Sequence, residues 1–117
     1  MGKAALFLAA ALAIAPPAAE AKGSAACSVR GSWTFPRKAN LPRGAAAALG
    51  FPMAERGAPW NVSDAVGPGP MLPFDRFISA RQVNCALEIR YEHGGIAHTY
   101  NNALLDYRAG RWVLLHR

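Results

Sequence analysis

Val83-Asn84-Cys85-Ala86-Leu87-Glu88-Ile89-Arg90-Tyr91-Glu92-His93-Gly94-Gly95 is the stretch that decides the fold. Val83, Cys85, Leu87, Ile89 and Tyr91 alternate with Asn84, Ala86, Glu88, Arg90 and Glu92, the period-two pattern of a strand with one face on a core. The Gly94-Gly95 pair is able to take the positive dihedral angles of a tight two-residue hairpin turn. A second strand is predicted over residues 96–107, and Ala109-Gly110 turns into a third at 112–116. A shorter strand near residues 76–80 precedes them. The result is an antiparallel β-meander of four strands spanning 76–116.

The turn lengths set the register. A two-residue Gly-Gly loop pairs His93 with Ile96, Tyr91 with His98 and Ile89 with Tyr100. An Ala-Gly loop pairs Tyr107 with Trp112 and Leu105 with Leu114. The apolar set of the middle strand is then even at Tyr100 and odd at Leu105, so a β-bulge is expected at Asn101-Asn102. Burial of both faces of this strand would remove the need for one.

Upstream of the meander the chain is irregular. Residues 32–35 alternate Trp33 and Phe35 as a short strand would. Residues 42–49 read as a short helix: Pro42 suits the first turn, four alanines propagate it, and Gly50 supplies a left-handed cap. Between 56 and 73, Gly57, Pro59, Gly67, Pro68, Gly69, Pro70 and Pro73 forbid regular structure. Trp60 is expected to anchor this loop to the core, because its ring is costly to leave in water. Asn61-Val62-Ser63 matches a glycosylation acceptor, a pattern of little weight in a composition that suggests a bacterial source. The fold class implied is a small single α+β domain, a meander with one short helix and an irregular Gly/Pro-rich N-terminal half.

The first 21 residues have the three parts of an export signal. Lys3 supplies the positive charge, residues 4–15 are apolar, and Pro16-Pro17 with Ala19-Glu20-Ala21 provide the break and the small residues a signal peptidase reads. The apolar run has 12 residues, and a spanning helix needs roughly 20. Cys27 is not placed as a lipoprotein cysteine, because Ser24 stands where leucine is usual and the apolar run ends at Ala15. Cleavage leaves residues 22–117 as one exported domain, periplasmic or secreted, with no transmembrane segment.

Cys27 and Cys85 are the only cysteines. In an oxidising compartment an even count in a small domain argues for a disulfide. A redox pair would sit closer in sequence, and no metal-type cluster accompanies them. The bridge would pin the front of the mature domain onto the C-terminal sheet.

The chain carries a formal charge of +6. Lys3 and Glu20 fall inside the signal, so its removal leaves that balance unchanged. A small basic protein favours anionic partners, among them phospholipid head groups, lipopolysaccharide and acidic glycans. The arginines are scattered singly with no interleaved aromatic run, which argues against nucleic acid.

Candidate chemistry is sparse. In the register above, Tyr91, His93, His98 and Tyr100 cluster on one face at the hairpin end. Histidine titrates near neutral pH, so His93 and His98 are the candidate catalytic or binding groups. Metal binding needs three or four converging ligands, and Glu92 points to the opposite face; no metal or cofactor is implied. Glu88 and Glu92 alternate with Arg90 as an exposed charge ladder would. Three readings follow. The leading one is a non-catalytic binding module that meets an anionic envelope component or another exported protein. The others are a small hydrolase or metal-dependent enzyme using His93 and His98, and a structural or accessory envelope protein.

Overall fold

The computed structural model describes residues 27–63 and 67–117. The export signal expected at 1–21 lies outside the described residues. Five antiparallel strands form one sheet in the order β1-β2-β3-β4-β5. They are β1 (Ser32–Phe35), β2 (Asp75–Val83), β3 (Ala86–His93), β4 (Thr99–Arg108) and β5 (Arg111–His116). One short helix, α1 (Ala45–Leu49), and a 3-10 turn at Lys38–Asn40 complete the regular structure, which is mostly sheet.

Period-two alternation sorts the sheet into a core face and an outer face. On the core face, Phe77, Leu87, Ile89, Tyr91, Ala103, Leu105 and Trp112 are buried against Ala45 and Leu49 of α1 and against Met53. Phe77, Leu49, Leu87, Ile89 and Leu105 are the largest fully enclosed side chains. Each contributes about 1.5–3 kcal/mol over leaving it exposed. The short helix therefore owes its existence to packing, because an isolated helix of one turn does not persist in water.

Several elements begin or end elsewhere than the sequence pattern suggests. The alternating run from Val83 is broken by a two-residue turn at Asn84-Cys85, which pairs Val83 with Ala86. Asn84 takes φ 54°, a left-handed conformation asparagine tolerates. Its side-chain Oδ1 accepts from the Gly31 amide at 3.0 Å, and its own amide donates to the Gly31 carbonyl at 2.8 Å. Strand β2 consequently runs to Val83 rather than ending near residue 80, and β1 joins its free edge as a fifth strand. The helix starts at Ala45, not residue 42, because Gly44 is left-handed at φ 88° and closes a turn from Pro42.

The first long hairpin differs most. His93 pairs with Thr99, Tyr91 with Asn101 and Ile89 with Ala103. Residues 94–98 form the connection, and the predicted partners Ile96, His98 and Tyr100 are displaced by three positions. The cause lies in the loop 58–62. A Cβ on Gly94 would strike the Asn61 carbonyl oxygen and the Val62 backbone. Gly94 is thus required by a close backbone approach rather than by a tight turn. Its amide donates to the Phe74 carbonyl at 2.8 Å, and the Gly95 amide donates to Val62 at 3.3 Å.

A shift of three reverses face parity along β4. Asn101, Ala103 and Leu105 now face the core together, so no bulge forms at Asn101-Asn102. The irregularity lies instead between Leu104 and Leu105 against β5, where Leu115 is the extra residue. The second hairpin has the expected register, Tyr107 with Trp112 and Leu105 with Leu114, across an Ala109-Gly110 turn with both φ positive. Cys27 and Cys85 are joined as a disulfide, with Cα atoms 6.3 Å apart, which ties residue 27 to the β2–β3 turn.

Candidate functional site

The four residues expected to cluster divide between the two faces. Tyr91 is buried on the core face, its ring 5.4 Å from Phe51. Burial raises its phenol above the ordinary 10.0, the charge of Asp75 adds to this, and Arg117 opposes it. Tyr100 lies on the outer face opposite Glu92 and is 62 % exposed. His98 stacks on Tyr100 at 5.3 Å and meets the edge of Trp60 at 5.6 Å. His93 sits at the end of β3, where its Nδ1 is 2.8 Å from Asp75 Oδ1.

What gathers here is a different set. Glu92, expected on an exposed ladder, is only 6 % exposed. Its Oε1 accepts from Arg76 Nε at 2.7 Å and also pairs with the Arg76 Nη2. Its Oε2 is 3.4 Å from His98 Nε2. The Arg76 guanidinium lies over the Trp60 ring at 4.4 Å. Trp60 therefore anchors its loop on the outer face of the sheet, not in the core. The arrangement satisfies a carboxylate on the covered end of that face. Among the described residues no three of His, Cys, Asp and Glu converge as a metal site would require. His93 and His98 each lie against a carboxylate, and the cluster joins loop 58–62 to the β3–β4 connection.

Beyond the cover supplied by Trp60, the outer face is open. Ser79 and Arg81 of β2, Ala86, Glu88 and Arg90 of β3, and Asn102 and Leu104 of β4 are all exposed. Register aligns Ser79 with Arg90, and Arg81 with Glu88 and then Leu104. Arg56, arriving from the loop after Met53, joins Arg81 and Arg90 around a shallow groove of about 490 Å³ that also holds Thr34, Ser79 and Glu88. Among the described residues none of these three guanidiniums has a hydrogen-bond or ion-pair partner. The ion-paired arginines among the described residues, Arg76 and Arg108, are held by Glu92 and Asp106.

No family model, curated protein or solved structure matches this chain. Three planar donors with two nearby hydroxyls suit an oxyanion, because a guanidinium presents paired N–H groups in the geometry that phosphate and carboxylate accept.

A second groove, of about 530 Å³, lies between α1 and the β4–β5 turn and carries Arg43 and Arg111 with Tyr107. It has one arginine fewer. The outer-face groove, in addition, continues across the sheet through Arg81 and Glu88 to Leu104.

Sequence reasoning places Glu88 and Arg90 on the outer face but does not bring Arg56, Arg81 or Thr34 to them. The pairing of Arg81 with Glu88 depends on the hidden turn at Asn84-Cys85, and Arg56 is delivered by a long-range contact. Ala54 bridges to Arg76, with the Ala54 amide donating to Asp75 and the Phe77 amide donating to Ala54. The preceding turn is fixed by Glu55, whose carboxylate accepts from the amides of Lys38, Ala39 and Arg56 at 2.8–2.9 Å. Partial burial acts to raise the Glu55 pKa, but the three amides and the charge of Arg37 outweigh it and hold the carboxyl below 4.5.

Proposed function

We propose that the protein is a non-catalytic binding module that holds an anionic partner on the outer face of its sheet. The observation that carries this reading is the set Arg56, Arg81 and Arg90, unpaired among the described residues around one open groove. Among the described residues these guanidiniums form no ion pair, even with Glu88 opposite Arg81, and so are available to an external oxyanion. The proposed setting is an exported, oxidising one, the periplasm or the exterior. A disulfide suits that compartment, and among the described residues no helix is long and apolar enough to cross a membrane.

The test is a titration with inorganic phosphate followed by amide NMR shifts. Saturable shifts are expected at Thr34, Ser79, Arg81 and Arg90, and Arg81→Gln with Arg90→Gln should abolish them. Uniform, unsaturable shifts, or shifts unchanged by the double substitution, would reject the reading. Replacing His93 and His98 by alanine should leave phosphate binding unaltered. An activity that depends on those two histidines would instead favour the hydrolase alternative.

A further inference from the structure

The arginine groove does not stand alone on its face. Adjoining it is an apolar patch lined by Val83, Ala86, Leu104 and Leu115, and the two share Arg81 and Glu88. Val83 and Leu104 are 39 % exposed and Leu115 53 %. Register makes the junction explicit: Arg81, Glu88 and Leu104 form one row across three strands, and Val83, Ala86 and Asp106 form the next. Adjacent strands lie about 4.8 Å apart, so Arg81 and Leu104 are separated by about 10 Å across the face.

We infer that the anionic partner is the surface of a phospholipid bilayer, with Arg56, Arg81 and Arg90 at the phosphate layer and Val83, Leu104 and Leu115 entering the head-group boundary. This rests on the binding reading above and names its partner. A soluble oxyanion explains the arginines but leaves the adjoining aliphatic side chains without a role. An anionic bilayer answers both: it offers a dense phosphate layer directly over an apolar one, within the roughly 5–10 Å over which an interfacial element buries its apolar face. Arginine stems can lie along such a surface while their heads stay at the phosphates.

The face is also open and shallow, which suits an extended surface better than an enclosed small molecule. Asp106 on this face is neutralised by Arg108 at 3.0 Å, leaving Glu88 as the acid between the arginines and the leucines. Glu88 opposes docking to an anionic surface and so supplies a gain-of-binding test.

The experiment is co-sedimentation of protein, purified in the form cells accumulate, with vesicles of phosphatidylcholine alone or mixed with phosphatidylglycerol. Binding to the mixed vesicles should exceed binding to the neutral ones and weaken as salt approaches physiological strength. Arg81→Gln with Arg90→Gln should weaken it about 25-fold, at about fivefold per arginine near an anionic surface. Leu104→Ser with Leu115→Ser should weaken it about tenfold through lost apolar burial. Glu88→Gln should strengthen it. Arg43→Gln with Arg111→Gln removes the same charge from the helix side and should change it less than the outer-face pair.

All substituted positions are exposed, and unchanged thermal unfolding confirms that each variant is folded. If the leucine pair binds mixed vesicles as tightly as the parent while phosphate still titrates the groove, the bilayer is the wrong partner and the anion-binding reading stands. If the arginine pair changes neither vesicle nor phosphate binding, both fall.

Discussion

Replacing Gly94 by alanine probes the contact that sets the β3–β4 register. The added Cβ meets the Asn61 carbonyl oxygen and lies 2.9 Å from Val62 Cα, so the loop must move away. That movement pulls on two hydrogen bonds, Asn61 N to Pro73 O at 2.8 Å and Gly95 N to Val62 O at 3.3 Å. At about 1 kcal/mol net for each, the expected loss is about 2 kcal/mol. For a domain of this size that corresponds to a fall in Tm of about 8–16 °C. Gly94→Asn gives the sharper contrast. In a tight Gly-Gly hairpin turn asparagine would be tolerated, whereas here its larger side chain should cost at least as much as alanine. Gly67→Ala is the control, because a Cβ there meets nothing within 4 Å. Thermal unfolding by circular dichroism compares the three. A Gly94→Asn protein as stable as the parent would refute the reasoning, and with it the displaced register.

Three further outcomes follow. Replacing Cys27 and Cys85 by serine opens a loop of 58 residues of separation, which should cost about 4 kcal/mol on the chain-entropy estimate; urea unfolding that shows a loss below about 1 kcal/mol would contradict the disulfide's structural role. Glu55 is held below 4.5 in the folded state, so its contribution is complete above that value and is lost as pH falls through the lower folded one. Glu55→Gln should therefore be less stable than the parent near neutrality and converge with it in acid, a difference that equal slopes of stability against pH would disprove. Tyr91 is raised above 10.0, so its contribution is complete below that value and lost as pH climbs toward the folded one. The parent should lose stability above pH 10 faster than Tyr91→Phe, and identical alkaline unfolding curves would count against burial of this phenol.

How much of this was legible in the sequence depends on the range of the forces involved. The second hairpin could be read because Ala109 and Gly110 both take positive φ in a local two-residue turn, with Trp112 and Leu114 completing a clean pattern. The first could not, because Gly94 answers to Asn61 and Val62, more than 30 positions away. The turn at Asn84-Cys85 was masked by an alternation that continues unbroken through it, and the left-handed Asn84 with its paired hydrogen bonds to Gly31 marks the corner. Glu92 has the spacing of an exposed strand residue, yet Arg76 and His98 satisfy it under cover. Trp60 advertised its need for burial without indicating which face would provide it. The histidine cluster therefore formed with different members, while the open arginine face emerged only from the register of β2 on β3.

Binding as proposed requires the sheet to present its outer face, and not its helix-covered face, to an anionic bilayer. Paramagnetic broadening of amide signals by vesicles of phosphatidylcholine and phosphatidylglycerol carrying a nitroxide head group tests this directly. Ser79, Arg81, Glu88, Arg90 and Leu104 should broaden while Ala45–Leu49 stays sharp. Broadening centred on the helix, or spread evenly over the domain, would contradict it.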